Sequence, residues 1–285
     1  MQHSLGEVCI PLNPQRVVVL GAGFDTLLSL GIKPVGSTES GRKDYSYLKN
    51  KAKDIEDVGN ANSPNLEAIA ALKPDLILGF DYRDRKNYEL LSQIAPTVLH
   101  EWRGTGEDDW KSLMNQMAEA LGKTDRAEQI LTDYNARIEK FQSQMGDRLK
   151  QTEVSIVRVQ QGRILLYLED SACGSVVADA GFPRPDHQTK FKEPDVSISK
   201  ELLYKADADV IFLWTLGVDE EAAQKSQTAL KELRADPLWS NLNAVRQDKV
   251  YEVPSRWISI GPTAANLVLD DLFKYFVDSP SQAAQ

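Results

Sequence analysis

Histidine and cysteine are scarce in this 285-residue chain, three and two, and neither type is clustered. His3, His100 and His187 show no HxxxH or HExxH spacing, which excludes a histidine-built zinc centre of that pattern. Cys9 and Cys173 stand far apart and form no CxxC pair, so neither a redox motif nor a disulfide framework is indicated. Two free thiols are expected, with a single long-range bridge as the alternative. No apolar run approaches the ~20 residues that cross a bilayer, and the opening MQHSLGEVCIPLNPQR lacks the basic-then-apolar pattern of a secretory signal. The expectation is a cytosolic protein, or an exported one whose signal has been removed. Positive charge is not concentrated either: 33 Lys and Arg are interspersed with 42 Asp and Glu, a net charge of −9. Nucleic acid calls for a basic face, so no nucleic-acid partner is expected.

Catalytic signatures are missing as well. There is no GxSxG elbow, no P-loop and no acid–base pair that can be named, so an enzyme is not expected. Gly21-Ala22-Gly23 suggests a dinucleotide fingerprint, but Thr26 stands where its third glycine or alanine belongs. A tight strand-to-helix turn accounts for both glycines. Cys173 paired with a histidine would make a nucleophile and base; Cys173 precedes an apolar helix and reads better as packing.

What is present is a long central helix between two α/β patterns. Thr124 to Asp147 carries Ala127, Ile130, Leu131, Tyr134, Ile138, Phe141 and Met145 on one face of a 3.6-residue period. Thr124 caps its start, Asp125 and Glu128 suit the first turn, and Gly146 offers a stop. At ~1.5 Å per residue it would reach roughly 35 Å. The expected organisation is an N-terminal lobe over 1–122, a connecting helix over 123–150 and a C-terminal lobe over 151–285. The expected fold class is α/β, two Rossmann-like lobes joined by one long rigid helix with a ligand cleft between them.

In the first lobe, Val17 to Leu20 is a continuous apolar run typical of a buried parallel strand. It is followed by a helix over 24–30, a strand at 34–36, a helix over 65–72 and a strand over 75–80. A helix over 87–94, a strand over 97–102 and a helix over 108–121 complete the lobe. In the second, 154–159 and 163–168 form a hairpin about Gln161-Gly162, with helices over 175–180, 227–235 and 237–242, a strand over 249–253 and a last helix over 263–276. The lobes echo each other: Glu67 precedes Asp75-Leu76-Ile77 by eight positions, as Glu201 precedes Asp209-Val210-Ile211. A glutamate in a first helical turn also serves the helix dipole alone.

Arginine and aromatic residues fall just past the carboxyl ends of predicted strands: Tyr82, Arg83 and Arg85; Trp102 and Arg103; Trp214; Arg256 and Trp257. Ligands of open α/β sheets bind outside those ends. Guanidinium forks suit carboxylate, hydroxamate and other oxyanions, while flat rings suit an apolar body. The alternative is a set of rim residues that merely pack.

The segments HSLGEVCIPLNPQRVVVLG, NLEAIAALKPDLILG, LLSQIAPTVL, DPLWSNLNAVRQDKVYEV and WISIGPTAANLVLDDL resemble the iron-siderophore substrate-binding proteins of ABC importers, in order from near residue 3 to near residue 276. The resemblance implies a single-helix-linked bilobal fold and a ferric siderophore of hydroxamate or citrate type as ligand. Because the siderophore holds the iron, it implies no intrinsic cofactor and no metal site in the protein. It further implies delivery to a membrane permease by a monomeric protein, located in the periplasm or lipid-anchored to the outer face of the membrane, with its export signal removed. Carried over by motif, Arg83 is a ligand-gripping arginine and Trp257 a pocket tryptophan; Trp102 or Arg103, Arg256, Trp214 and Tyr167 are further ligand contacts. A related cobalamin-binding branch shares the NLE…ALKPDL segment, with a glutamate of each lobe meeting permease arginines; Glu67 and Glu201 match these. Cobalamin and haem remain alternative ligands, and a Rossmann-type cytosolic enzyme a more distant one.

Overall fold

A computed structural model describes residues 1–38, 43–101, 110–190, 193–217 and 220–278. The chain divides into two compact units. Of the described residues, one unit gathers those from Met1 to Glu101, Trp110 to Asp133 and Ser259 to Ala264; the other holds those from Tyr134 to Ile258 and those after Ala264.

The first unit contains β1 (Val17–Val19), α1 (Gly23–Ser29), β2 (Gly36–Ser37), β3 (Glu56–Asp57), α2 (Leu66–Ala71), β4 (Leu76–Phe80), α3 (Asp81–Asp84), α4 (Tyr88–Ile94), β5 (Thr97–His100) and α5 (Trp110–Leu121). The five strands of its main sheet are all parallel, in the order β3-β2-β1-β4-β5, and two short antiparallel pairs, Gln2–His3 with Gly6–Glu7 and Gly59–Asn60 with Ser63–Pro64, lie outside it. β1 is three buried valines, stiff side chains that favour an extended backbone. Val18, Leu20 and Ile77 pack with Ile69 of α2 and Leu91 of α4. Gly23, at the start of α1, lies against Met117 of α5 and Val19 of β1, close enough that a Cβ there would clash. Asn65 caps α2 by accepting from Ala68 N at 3.0 Å, the role that asparagine fills best at a helix start.

The long helix α6 (Thr124–Met145) is unbroken over 22 residues, and Gly146 ends it at φ +56°. Its expected apolar face is buried at Ala127, Ile130, Tyr134, Ile138, Phe141 and Met145. The unit boundary falls inside this helix, between Asp133 and Tyr134.

The second unit contains β6 (Val154–Gln160), β7 (Arg163–Tyr167), α7 (Ala172–Asp179), β8 (Asp195–Ile198), β9 (Val210–Thr215), α8 (Glu220–Arg234), α9 (Pro237–Ser240), α10 (Asn243–Arg246), β10 (Val250–Glu252) and most of α11 (Pro262–Phe273). The strand order is β8-β7-β6-β9-β10, with β7 antiparallel to both of its neighbours and β6, β9 and β10 parallel. Gln161 and Gly162, at φ +49° and +83°, form the two-residue turn of the β6–β7 hairpin, a geometry that matches the strands' twist. One sheet face sets Val157, Leu166, Ile211 and Leu213 against Leu230 and Leu233 of α8. On the other, Phe212 lies 4.7 Å from the Trp257 ring and 6.0 Å from Phe276. Burying rings of this size contributes about 2 to 3 kcal/mol each before conformational entropy is charged.

Several expected boundaries move. The helix expected over 227–235 starts at Glu220, and the one expected over 175–180 starts at Ala172, where Ser171 accepts from Gly174 N at 3.0 Å. The helix expected over 237–242 stops at Ser240 and a separate short helix follows at Asn243–Arg246, while no strand was expected where β8 lies. Residues 259–264 belong with the first unit, where the buried Asp25 carboxylate accepts from Ala264 N at 2.8 Å and Thr263 N at 3.3 Å.

The echo between units is also a bonding pattern. Asp75 accepts Gln15 N at 2.7 Å and Arg16 N at 2.9 Å, and Asp209 accepts Glu153 N at 2.9 Å. In each unit the aspartate before a central strand ties down the entry to its neighbour.

Candidate functional site

In the first unit the strand order reverses direction between β1 and β4, the switch point at which an open α/β sheet leaves a crevice beyond its strand ends. Gly21 lies just past β1 at φ +65°, a region that favours glycine, and its N–H donates to Thr38 Oγ1 at 2.8 Å. Arg83, just past β4, reaches across to it: a Cβ on Gly21 would sit 2.7 Å from Arg83 Nη2. The missing methyl thus leaves room for the guanidinium. Arg83 is half-buried, with its guanidinium carbon 4.8 Å from the Tyr82 ring centre and 5.7 Å from that of Phe80. It makes no hydrogen bond or ion pair among the described residues. Its neighbour Arg85 differs, bridging to Asp81 at 3.3 Å.

The turn that places Arg83 is held by Asp84, whose Oδ2 accepts from Phe80 N at 2.9 Å. Asp84 is buried and its Oδ1 has no partner. Burial raises this carboxyl above the usual carboxylate range, while the Phe80 N–H and the charges of Arg83 and Lys86 pull the other way.

In the second unit the equivalent reversal falls between β6 and β9. Arg158 of β6 stands in register with Trp214 of β9. Its guanidinium carbon is 5.0 Å from the Tyr167 ring centre and 5.3 Å from that of Trp214, whose rings meet edge-on at 5.1 Å. Arg158 is only 8% exposed, and neither its Nε nor Trp214 Nε1 has a hydrogen-bond partner among the described residues. Behind this cluster, Arg184 Nη2 donates to the Tyr167 carbonyl and to Gln188 Oε1 at 2.9 Å. Gln188 is fixed in turn on Ser155 Oγ at 2.8 Å and the Lys205 carbonyl at 2.9 Å. Burial lowers Arg184 to about 10, which still leaves it charged at neutral pH.

Of the residues singled out from sequence, Arg83 stands at one switch point, and Tyr167 and Trp214 meet at the other. Arg158, around which those two rings close, was missed; its signal was a lone arginine in the otherwise apolar strand SIVRV. Trp257 requires correction. It is 0% exposed, its Nε1 donates to Asp271 Oδ2 at 2.8 Å and its ring packs on Phe212, so it fills the core of its unit and has no face left for a ligand. Arg256 is also withdrawn, because its Nη2 donates to both Asp271 oxygens, at 2.8 and 2.7 Å. Trp102 and Arg103 lie outside the described residues.

Glu67 and Glu201 are exposed in the first turns of α2 and of the 3-10 helix Lys200–Ala206. A hydrogen bond from the Ser199 side chain holds the Glu201 carboxyl below its usual value. Cys9 and Cys173 are both free; Cys173 is buried, and burial pushes its thiol up to about 11, so it is unsuited to nucleophilic work. Among the described residues no group of three or more His, Cys, Asp or Glu is placed to hold a metal ion. A hollow of about 800 Å³ opens between Gly162 and α8, and none of the arginines above lines it.

Residues 17–257 match the family described as periplasmic binding protein. The chain is 37% identical to the probable siderophore-binding lipoprotein YfiY of Bacillus subtilis (strain 168), over 97% of this chain and 87% of that one. It is 32% identical to the achromobactin-binding periplasmic protein of Dickeya dadantii (strain 3937), over 91% and 85%. Among solved structures, that of Staphylococcus aureus SirA complexed with staphyloferrin B superposes with a TM-score of 0.88 at 30% identity, covering 96% of this chain and 97% of that one.

Proposed function

The chain belongs to the periplasmic binding protein family, and from that premise we propose that it captures a ferric siderophore outside the cytoplasmic membrane and delivers it to an ABC importer permease. The observation that carries this reading is a matched pair. Each unit places one arginine that has no carboxylate partner among the described residues, Arg83 or Arg158, at its sheet's switch point and sets aromatic rings against it. Binding is non-covalent and the protein performs no chemistry. The iron arrives already coordinated, so the protein needs no metal ligands of its own. Arg83 and Arg158 donate charge-assisted hydrogen bonds to the chelator oxygens, and the exposed ring of Tyr82 covers an apolar part of it, while the buried Tyr167 and Trp214 act through Arg158 by holding it in place. Trp102 and Arg103 stay in this reading on the sequence alone.

Glu67 and Glu201, one per unit, serve as the permease-docking pair. Exposed charges of this kind set register and encounter rate more than affinity. The protein acts as a monomer, in the periplasm or on a lipid anchor.

Quenching of tryptophan fluorescence by a panel of ferric citrate, a ferric trihydroxamate, a ferric triscatecholate, haemin and cobalamin tests the ligand. Saturable quenching by at least one ferric siderophore supports the reading; quenching by haemin or cobalamin alone overturns it. The docking assignment predicts that Glu67→Ala with Glu201→Ala abolishes uptake in cells while leaving the titration unchanged. Normal uptake by that double variant would remove the pair from the interface.

A further inference from the structure

The second unit buries two guanidinium groups, and neither has an anionic partner among the described residues. Arg158 and Arg184 are each 8% exposed, a degree of burial at which arginine is almost always paired. Arg184 is bonded only to neutral acceptors, the Tyr167 carbonyl and Gln188 Oε1, while its Nε and Nη1 are buried with no acceptor. Arg158 has ring contacts on its flat side and an unpartnered Nε. Carboxylates are within electrostatic reach: Asp195 feels Arg158 and Arg163, and Glu169 acts on Arg184. None closes to an ion pair with either guanidinium among the described residues. The two arginines converge on one residue, Arg184 on the Tyr167 carbonyl and Arg158 on its ring.

An uncompensated positive charge inside a protein favours whatever anion reaches it, because the low local dielectric strengthens the attraction. Resting on the siderophore reading above, we propose that the cargo is a net-anionic ferric complex of carboxylate type, with Arg158 as its contact in this unit and Arg184 as a positioning residue that holds Tyr167 and adds positive potential. The N–H edge of a guanidinium takes a carboxylate through two parallel hydrogen bonds. A catecholate ring would compete for the flat side that Tyr167 and Trp214 already occupy. A neutral ferric trihydroxamate offers no negative charge to offset the two buried cations.

The test is a fluorescence titration of the whole chain with ferric citrate, a ferric triscatecholate and a neutral ferric trihydroxamate, at low and high salt. The proposal expects ferric citrate to bind at least about 100-fold tighter than the trihydroxamate, a ratio in the range that fully desolvated charge pairs produce. Arg158→Gln and Arg184→Met should each shrink that ratio by about tenfold or more, since each removes one buried charge. If Arg184→Met does not fold, the wild-type ratio and Arg158→Gln still decide the question. Tighter binding of the trihydroxamate or the triscatecholate overturns the carboxylate assignment and leaves the siderophore reading intact. Binding of no ferric complex overturns both.

Discussion

The two units arrive at the same arrangement by different routes. In the first, an all-parallel sheet delivers Arg83 from the short helix beyond β4, half-buried and kept in place by Asp84 and by the space at Gly21. In the second, a mixed sheet carries Arg158 within β6 itself, buried under Tyr167 and Trp214. A guanidinium on a turn is cheap to keep in water and easy to move. One built into a strand has lost most of its water, and with no ion pair among the described residues it carries a cost that an anionic ligand would relieve. On the proposed reading, the first unit's arginine is the adaptable contact and the second's the stronger determinant of affinity.

Arg158→Met should produce the largest effect. Removing a desolvated charge that faces the ligand weakens ferric-siderophore binding by about 100-fold or more, on the scale of buried charged partners. The same change should leave the melting temperature unchanged or raise it, because an apolar side chain replaces an unpaired buried cation. Titration and a thermal melt of the variant check both halves; unchanged affinity, or a large fall in stability, would mean that Arg158 is a structural group.

Arg83→Ala should weaken binding less. Loss of one charge-assisted hydrogen bond at a half-exposed site costs about 1.5 to 3 kcal/mol, or roughly 10- to 150-fold. Stability should hold. A loss exceeding that of Arg158→Met would reverse the ranking of the two units.

Trp257→Phe sharpens the contrast between contact and core. It removes the indole donor to Asp271 and some packing on Phe212, so it should cost about 1 to 3 kcal/mol of stability. Affinity should not change, and a selective loss of binding would restore Trp257 to the site.

Asp84→Asn is expected to have the smallest effect. The folded Asp84 carboxyl titrates above its unfolded value, so stability is fully present below the unfolded value and falls as pH rises through the folded one. Asparagine keeps an acceptor for Phe80 N without the charge. The variant should therefore approach wild type at low pH and be the more stable of the two at pH 7. Equal melting curves at both pH values would show that Asp84 carries no such cost.

Much of the fold was legible because backbone chemistry is local. The stripe of α6, the Gln161-Gly162 turn and the spacing from Glu67 to Asp75 and from Glu201 to Asp209 each follow from residue type and period. The polar start of α8, EEAAQKSQ, and the half-exposed strand DVSI hid their elements because neither shows a clear apolar period. The candidate site proposed here was only partly visible in the sequence. Arg83 follows a recognisable strand end, but Arg158 lies inside a strand, where a charge looks like a flaw in the pattern. Trp257 and Arg256 were misplaced because their partner, Asp271, lies 14 residues or more along the chain, and no local pattern announces a bond of that kind.

The proposal at stake is that Arg83 and Arg158, neither with a carboxylate partner among the described residues, hold a chelated ferric cargo. The direct test is a fluorescence titration with ferric citrate of wild type, Arg83→Ala, Arg158→Met and the double variant, all confirmed folded. The account predicts weakened binding in each single variant, more so for Arg158→Met, and none measurable in the double. Wild-type affinity in the double variant would contradict it.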